Sequence, residues 1–539
     1  MALRETAEAR NMPSQANMVR HAVMMMAGTL LSRILGLARE VVVAAFFGAT
    51  RSMDAFNVAY TLANLARQLL AEGALSAAFV PVFSQALQRG RVYALSLARG
   101  AMTVLLIVTS AVVLLGMWGA PLLTRIMAPG FEPGTASLAA SLARWMFPFL
   151  LFISLEALTM GELNSLGSFF VPAVSPAFSN LAFILTAPFF AARWGIHGLA
   201  LSVLCGGATH FLTQWFWSAR MGAALYPTRP NLHDPELRRM MALFLPYAAG
   251  LSLNQVNPVV SRLLGSFLRE GSISVLNYSN RILQLPLGLF VIAISQAVLP
   301  QLSRSAVKPL DADPPDSAPD FIDTLRQALR FALFIILPAS LGLILIARPF
   351  VHLIFVRGEF SVWAWNATTS CLVLGMLGLP GMACSTIVIR ALYALSMPRA
   401  AFCTTLFSVS ATALLSVALM FPLGYNGLAL APSIAFTLSG FLGLHYVRKK
   451  LGRPLRVVSL DWIGDMLFAL MWLDIVVRSC RYLLPYNPDS TLSVRALWCL
   501  GIIAVGIAVY SAVTLLMRFS EWSWIRQAFS KGGASDCES

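Results

Sequence analysis

Charged side chains inside hydrophobic runs are where this sequence has chemistry to offer. Arg33, Arg39, Glu40, Arg67, Glu72 and Arg281 interrupt long apolar stretches, Arg262 lies in another, and Asp54 opens the second stretch. A charged residue at the centre of a membrane helix costs roughly 2.5–3.5 kcal/mol on insertion. Several facing lipid would cost on the order of 10 kcal/mol, as much as a typical fold's net stability. They must face protein or a wet cavity. Glu40 follows Arg33 by seven residues, on one helical face, and Asp54 and Glu72 add negative charge, so internal pairing is one reading. The five arginines nevertheless exceed the carboxylates Glu40, Asp54 and Glu72 by two. A cavity with surplus positive charge selects an anion, and arginine forks, which grip oxygens in pairs, suit a diphosphate.

Other charges invite plainer readings. Asp474 and Arg478, spaced i,i+4, read as a structural pair, and Arg390 reads as a residue reaching the headgroups. Glu156, Glu162 and Arg144, in or near one apolar run, admit both pairing and function. The seven cysteines lack C-x-x-C spacing and read as small hydrophobes; the six histidines form no H-E-x-x-H cluster, so no metal site is expected. No nucleophile–base motif, phosphate-cradling glycine loop or nucleotide signature is apparent. Without an ATP site, work must come from an ion gradient or from membrane potential, worth roughly 2.3 kcal/mol per charge per 100 mV.

The elements that must position these residues are membrane helices. Of 539 residues 58% are hydrophobic and 12% charged, and mean hydropathy is +0.73. Soluble domains run at about 45–50% apolar and about 25% charged, so the chain belongs to an all-α polytopic membrane protein. Hydropathy and breakers place about fourteen spans: 21–49, 55–86, 98–126, 138–164, 171–192, 196–219, 240–268, 272–302, 325–356, 362–395, 399–421, 426–447, 460–484 and 495–517. The pair 171–192 and 196–219 has almost no connection between its members.

The net charge of +15 therefore reads as topology, not nucleic-acid binding. Alternate connections carry Arg89, Arg91 and Arg99, then Arg220, Arg229, Arg238 and Arg239, then Arg304 and Lys308, then Arg399, then Arg448 to Arg456. The positive-inside rule puts both termini in the cytoplasm. Lysine occurs at 308, 449, 450 and 531 alone, so 35 of the 39 basic residues are arginine. The run beginning at His21 has no small-residue cleavage site and reads as a first span, not a signal peptide. An acidic, proline-rich stretch from Asp311 to Asp323 reads as a flexible linker between halves. Ser32-Arg33-Ile34-Leu35-Gly36 recurs as Ser261-Arg262-Leu263-Leu264-Gly265, each followed by an arginine (Arg67, Arg281) and a proline (Pro81, Pro300). The spacings differ, so the echo is weak, but internal repeats are a common transporter plan. Pro148, Pro246, Pro258, Pro286, Pro338 and Pro380 are expected to kink their spans.

The arginine-bearing segments carry a family signature. Ser32-Arg33-Ile34-Leu35-Gly36-Leu37-Ala38-Arg39-Glu40 is followed by Asp54-Ala55-Phe56-Asn57-Val58-Ala59-Tyr60, Asn64-Leu65-Ala66-Arg67, Ala71-Glu72-Gly73-Ala74 and Ala78-Phe79-Val80-Pro81. With Ala128-Pro129-Gly130-Phe131, Arg281 to Gly288 and Arg357-Gly358-Glu359-Phe360, this series resembles the MurJ/MviN family, bacterial lipid II flippases of peptidoglycan synthesis. The resemblance implies two six-helix lobes around a central cavity plus two C-terminal helices forming a hydrophobic groove. It implies alternating access, with the lipid II head group in the cavity and the undecaprenyl tail in lipid. Arg33, Arg39, Arg67 and Arg281 match the family's cavity arginines, Asp54 its acid and Glu72 its A-E-G segment; Arg262 rests on the internal echo. Gln68 stands where some relatives have a second arginine, and Asn280 where an acid is common.

On this basis 1–20 is expected as a cytoplasmic tail, 21–220 as the N-lobe, 221–239 as a cytoplasmic loop, 240–447 as the C-lobe, 448–517 as the groove helices and 518–539 as a second tail. The expected function is flipping of lipid II across the bacterial cytoplasmic membrane, as a transporter without a catalytic site. Expected partners are lipid II, membrane lipids and cell-wall synthesis enzymes, with no nucleic acid, no cofactor and the coupling cation open. The competing functions are a flippase for another polyprenyl-diphosphate sugar, a multidrug antiporter, or a cell-wall scaffold that transports nothing.

Overall fold

The structure is a computed structural model and describes residues 15–70, 74–251, 255–306, 321–452, 458–524 and 526. Its described residues are helices joined by short turns, and contacts divide the chain into two compact units, Met1–Gly271 and Ser272–Ser539.

In the first unit the helices are α1 (Gln15–Phe47), α2 (Arg51–Leu70), α3 (Ala74–Arg89), α4 (Arg91–Met127), α5 (Pro133–Met146), α6 (Phe149–Ser165), α7 (Phe170–Arg220), α8 (Pro235–Leu251) and α9 (Val256–Gly265). α1 packs on α7, α2 on α5, and α3 on α8 and α6. Small residues allow the first contact: a Cβ on Gly28 would lie 3.1 Å from the Ala173 carbonyl oxygen. Three expected spans each hold two of these helices. The second is α2 and α3, with 71–73 outside the described residues, so Glu72 lies outside them. The fourth breaks between α5 and α6 at Pro148, whose ring cannot continue the hydrogen-bond ladder. The seventh is α8 and α9, with 252–254 outside the described residues.

α7 runs the other way. Its 51 residues, about 75 Å at 1.5 Å per residue, exceed any single crossing. Gly195 (φ 55, ψ −134) reverses the chain inside it, and a Cβ on Gly198 would sit 2.0 Å from the Phe190 carbonyl oxygen. The fifth and sixth spans are thus a hairpin turned on one glycine and closed on another.

The second unit holds α10 (Ser272–Pro286), a π-helical turn (Leu287–Val291), α11 (Ile292–Ala306), α12 (Phe321–Phe355), α13 (Val362–Ala394), α14 (Pro398–Leu423), α15 (Tyr425–Leu451), α16 (Leu460–Leu483) and α17 (Leu492–Leu516). α13 packs on α15, α12 and α10, and α14 packs on α15. The hairpin device recurs between α14 and α15: Gly424 has φ 58 and ψ −132, and a Cβ on Gly427 would lie 2.2 Å from the Leu419 carbonyl oxygen. The residue after each turn is tied back alike. His197 Nε2 lies 3.1 Å from Ser141 Oγ on α5, and Asn426 Oδ1 accepts from Ser370 Oγ (2.7 Å) on α13.

α16 and α17 pack together and onto α12 through Phe334, Trp462, Met466, Tyr510 and Phe519. Glu521, fully buried, accepts from Trp462 Nε1 (2.8 Å) and from Arg330 (3.0 Å). Most of the acidic linker, 307–320, lies outside the described residues. Asp323, read from the sequence as linker, instead opens α12 and pairs with Arg326 (2.7 Å). Asp474 and Arg478 form the expected i,i+4 pair at 2.8 Å.

Nine stretches among the described residues are long and apolar enough to cross a bilayer, the α7 hairpin among them. The protein is an all-α, multi-pass membrane protein.

Candidate substrate site

α2 carries a polar stripe. Asp54, Asn57, Thr61 and Asn64 recur at three- and four-residue spacing, which puts them along one face. Asp54, Asn57 and Thr61 are buried. The Gly271 amide donates to Asp54 Oδ2 (2.6 Å), tying the start of α2 to the residue that ends the first unit. Arg262, on α9, donates from Nε to Thr61 Oγ1 (3.2 Å). Two expected site residues, Asp54 and Arg262, therefore lie along one face of α2.

A second group joins α1 to α2. Arg39 pairs with its neighbour Glu40 (3.0 Å), interacts with Tyr60 of α2 and lies 5.3 Å from the centre of the Phe183 ring on α7. The ion pair given to Glu40 is thus with Arg39, one residue away, whereas spacing alone suggested Arg33. In the C-terminal half of α2, Arg67 donates from Nε to Asn64 Oδ1 (2.8 Å). Arg33 is half-buried, and among the described residues no hydrogen bond or ion pair engages it. Arg281 belongs to the second unit, half-buried on α10. Tyr278, fully buried one turn earlier, anchors that helix against Phe355 and Phe360 at ring separations of 5.0 and 5.5 Å. Past Arg281 the helix ends at Pro286 and loosens into the π turn, a form that recurs at functional sites.

Sequence reading missed the contacts around the α2 start. Arg51 pairs with Glu132 (2.7 Å) and with Glu270. The Gly130 amide donates to Ser266 Oγ (3.0 Å), and a Cβ on Gly130 would lie 2.6 Å from the Ser266 carbonyl oxygen. The Ala128-Pro129-Gly130-Phe131 segment was the one available signal, but nothing local names a partner more than a hundred residues away.

Also missed was a buried network on α6 and α7. Gln214 donates to Glu156 Oε1 (2.6 Å) and Ser175 Oγ (2.7 Å), while His210 Nε2 stands 3.5 Å from Glu156. Ser218 donates to Glu162 (2.9 Å), and Arg144 to the Met117 carbonyl (3.2 Å). These answer the open charges of the fourth span with partners inside the first unit.

Long apolar helices packed through small residues, with arginines on the helices around α2, define a polytopic membrane protein. The fold is shared with an inward-facing multidrug resistance MATE family transporter of the MOP superfamily, at TM-score 0.66 and 15% identity over 80% of this chain and 98% of that one. Residues 43–485 match the family model described as lipid II flippase MurJ, and the chain belongs to that family. A probable lipid II flippase MurJ of Vibrio cholerae is 32% identical over 93% of this chain and 96% of its own. A lipid II flippase MurJ of Burkholderia cenocepacia is 31% identical, over 78% and 82%. A structure of lipid II flippase MurJ in an inward closed conformation superposes at TM-score 0.75 with 26% identity, over 92% of this chain and 99% of that one.

Proposed function

We propose that this chain flips lipid II from the inner to the outer leaflet of the bacterial cytoplasmic membrane by alternating access, without a catalytic site. The observation that carries the reading is Arg33: a half-buried cation in an apolar helix, engaged by no ion pair among the described residues, in a chain of the MurJ family. Arg39, Arg67 and Arg281, with Asp54 and Glu72, complete the proposed substrate site. Arginine forks would hold the diphosphate while the polyprenyl tail stays in lipid beside the groove helices of 448–517. The lobes 21–220 and 240–447 would exchange access, drawing on membrane potential or an ion gradient, with both termini in the cytoplasm.

In that orientation the contacts of Asp54, Arg51 and Gly130 with 266–271, and of Arg262 with Thr61, lie toward the outer face. They support an outer closure that must open to release product, and Arg262 then serves α2–α9 docking as much as the substrate.

The test is translocation of lipid II by the purified protein in vesicles, with a different polyprenyl-diphosphate sugar as competitor. Arg33→Ala, Arg39→Ala, Arg67→Ala and Arg281→Ala are expected to insert normally and to lose transport. Full activity in all four would remove the site, and preference for the competitor would reassign the substrate.

A further inference from the structure

Cations also gather at the far end of α12, where the site above makes no use of them. His352, buried in the last turn of α12, has Nδ1 2.7 Å from the Tyr486 hydroxyl and 3.3 Å from Arg495 Nη1. A guanidinium only donates, so Nδ1 must offer its lone pair, and the ring is neutral with its proton on Nε2. The imidazole therefore holds Arg495 in place without cancelling its charge. Arg495 Nε is buried and has no hydrogen-bond partner. Arg357, in the loop after α12, is anchored by one nitrogen to the Leu353 carbonyl (2.6 Å). Partial desolvation and the charge of Arg495 hold its guanidinium below the usual arginine range. Arg348 stacks 4.8 Å from the centre of the Trp365 ring, which in turn lies 4.7 Å from His352. The acids near the cluster are Asp489, whose charge reaches His352, and the exposed Glu359. The cluster thus holds three arginines, Arg348, Arg357 and Arg495, and two carboxylates, Asp489 and Glu359.

We propose that Arg357, Arg495 and Tyr486 form a second phosphate site, one that takes the phosphate group of a lipid at the outer surface. Arg495 on His352 beside the Tyr486 phenol, with an unmet buried N–H, and Arg357 on the carbonyl of the next residue, Leu353, fit an anion of several oxygens better than a single carboxylate. The neighbouring surface is greasy: Leu483, Leu484, Leu497 and Leu500 are all exposed, as an acyl or polyprenyl chain beneath the headgroup would require. The outer location rests on the orientation proposed above; the binding chemistry does not.

The experiment is native mass spectrometry of the full-length protein with added phosphatidylglycerol, undecaprenyl diphosphate, diacylglycerol or inorganic diphosphate. Wild type is expected to retain the two phosphate-bearing lipids and not diacylglycerol. The Arg357→Ala/Arg495→Ala double variant should bind phosphatidylglycerol at least tenfold more weakly, with the paired lysine variant recovering part of the affinity and showing that the fold survives. Displacement by inorganic diphosphate would mark a headgroup site open to free phosphate; no displacement would mark a lipid site. Equal lipid retention in wild type and the double alanine variant, or retention of diacylglycerol, overturns the proposal. Phosphatidylglycerol carries no diphosphate, so its retention reads this site and not the arginine site proposed above, and a failure of the flippase reading is distinguishable. Labelling of Arg357→Cys by an impermeant thiol reagent from inside cells only would refute the outer placement while leaving the binding result intact.

Discussion

Magnitudes separate the residues that fasten the α2 start from those that decorate it. Arg51, Glu132 and Glu270 have side chains 43%, 67% and 57% exposed, and exposed pairs contribute about 0–1 kcal/mol. Asp54 is 3% exposed and accepts a backbone N–H, a charge-assisted bond worth roughly 1.5–3 kcal/mol. Asp54→Ala should therefore loosen 262–271 far more than Arg51→Ala, read as faster labelling of a cysteine placed at Ser266. The Arg51 pair adds a pH signature. Its hydrogen bond holds the Glu270 carboxyl below the usual glutamate range, so the bond's stabilisation is complete above that range. It is lost only as pH falls through the depressed value. The labelling difference between wild type and Glu270→Gln should be constant near neutrality and vanish in acid below the ordinary value of 4.5. Deeper in the unit, Gln214→Leu strips two donated bonds from Glu156 and Ser175 and should cost about 1–3 kcal/mol in thermal unfolding. The arginines, Asp54 and the Asp474–Arg478 pair were legible because charge inside an apolar run, and i,i+4 spacing, are local signals. The Arg262–Thr61 bond was not, since its partners are 201 residues apart.

At the scale of elements, the sequence located the spans well and their breaks poorly. Hydrophobic length marks a crossing, but a bend depends on which backbone bonds a proline or glycine gives up, and on what then meets them. Pro148 separates α5 from α6, whereas Pro380 sits inside an unbroken α13. The α7 hairpin was anticipated as two spans with almost no loop, and Gly195 supplies the reason. Gly198→Ala and Gly427→Ala put a methyl carbon against a backbone carbonyl at 2.0 and 2.2 Å. Neither hairpin has a flexible side chain there to move. Each substitution should cost about 1–3 kcal/mol as overpacking, while Gly464→Ala, with open space at its Cβ, should be near neutral. Heat-induced loss of folded protein in detergent would rank the three.

For the molecule as a whole, the C-terminal segment closes the packing of α12 with α16. Glu521 is fully buried between Arg330 and Trp462, and removing one partner of a buried ion pair costs about 3–5 kcal/mol. Glu521→Ala, or truncation after Met517, should therefore destabilise the protein to denaturant without touching the proposed arginine site. Restored stability in an Arg330→Met/Glu521→Leu double variant would show that the pair gives specificity more than strength. The two hairpins carry a consequence about ancestry. Gly195-Ile196-His197-Gly198-Leu199-Ala200-Leu201 and Gly424-Tyr425-Asn426-Gly427-Leu428-Ala429-Leu430 share their glycines, their backbone angles and a serine tether to the third residue. Six spans separate them in the expected span order. A six-helix unit joined head to tail with itself would leave such a matched pair of turns, with histidine in one and asparagine in the other at the shared position.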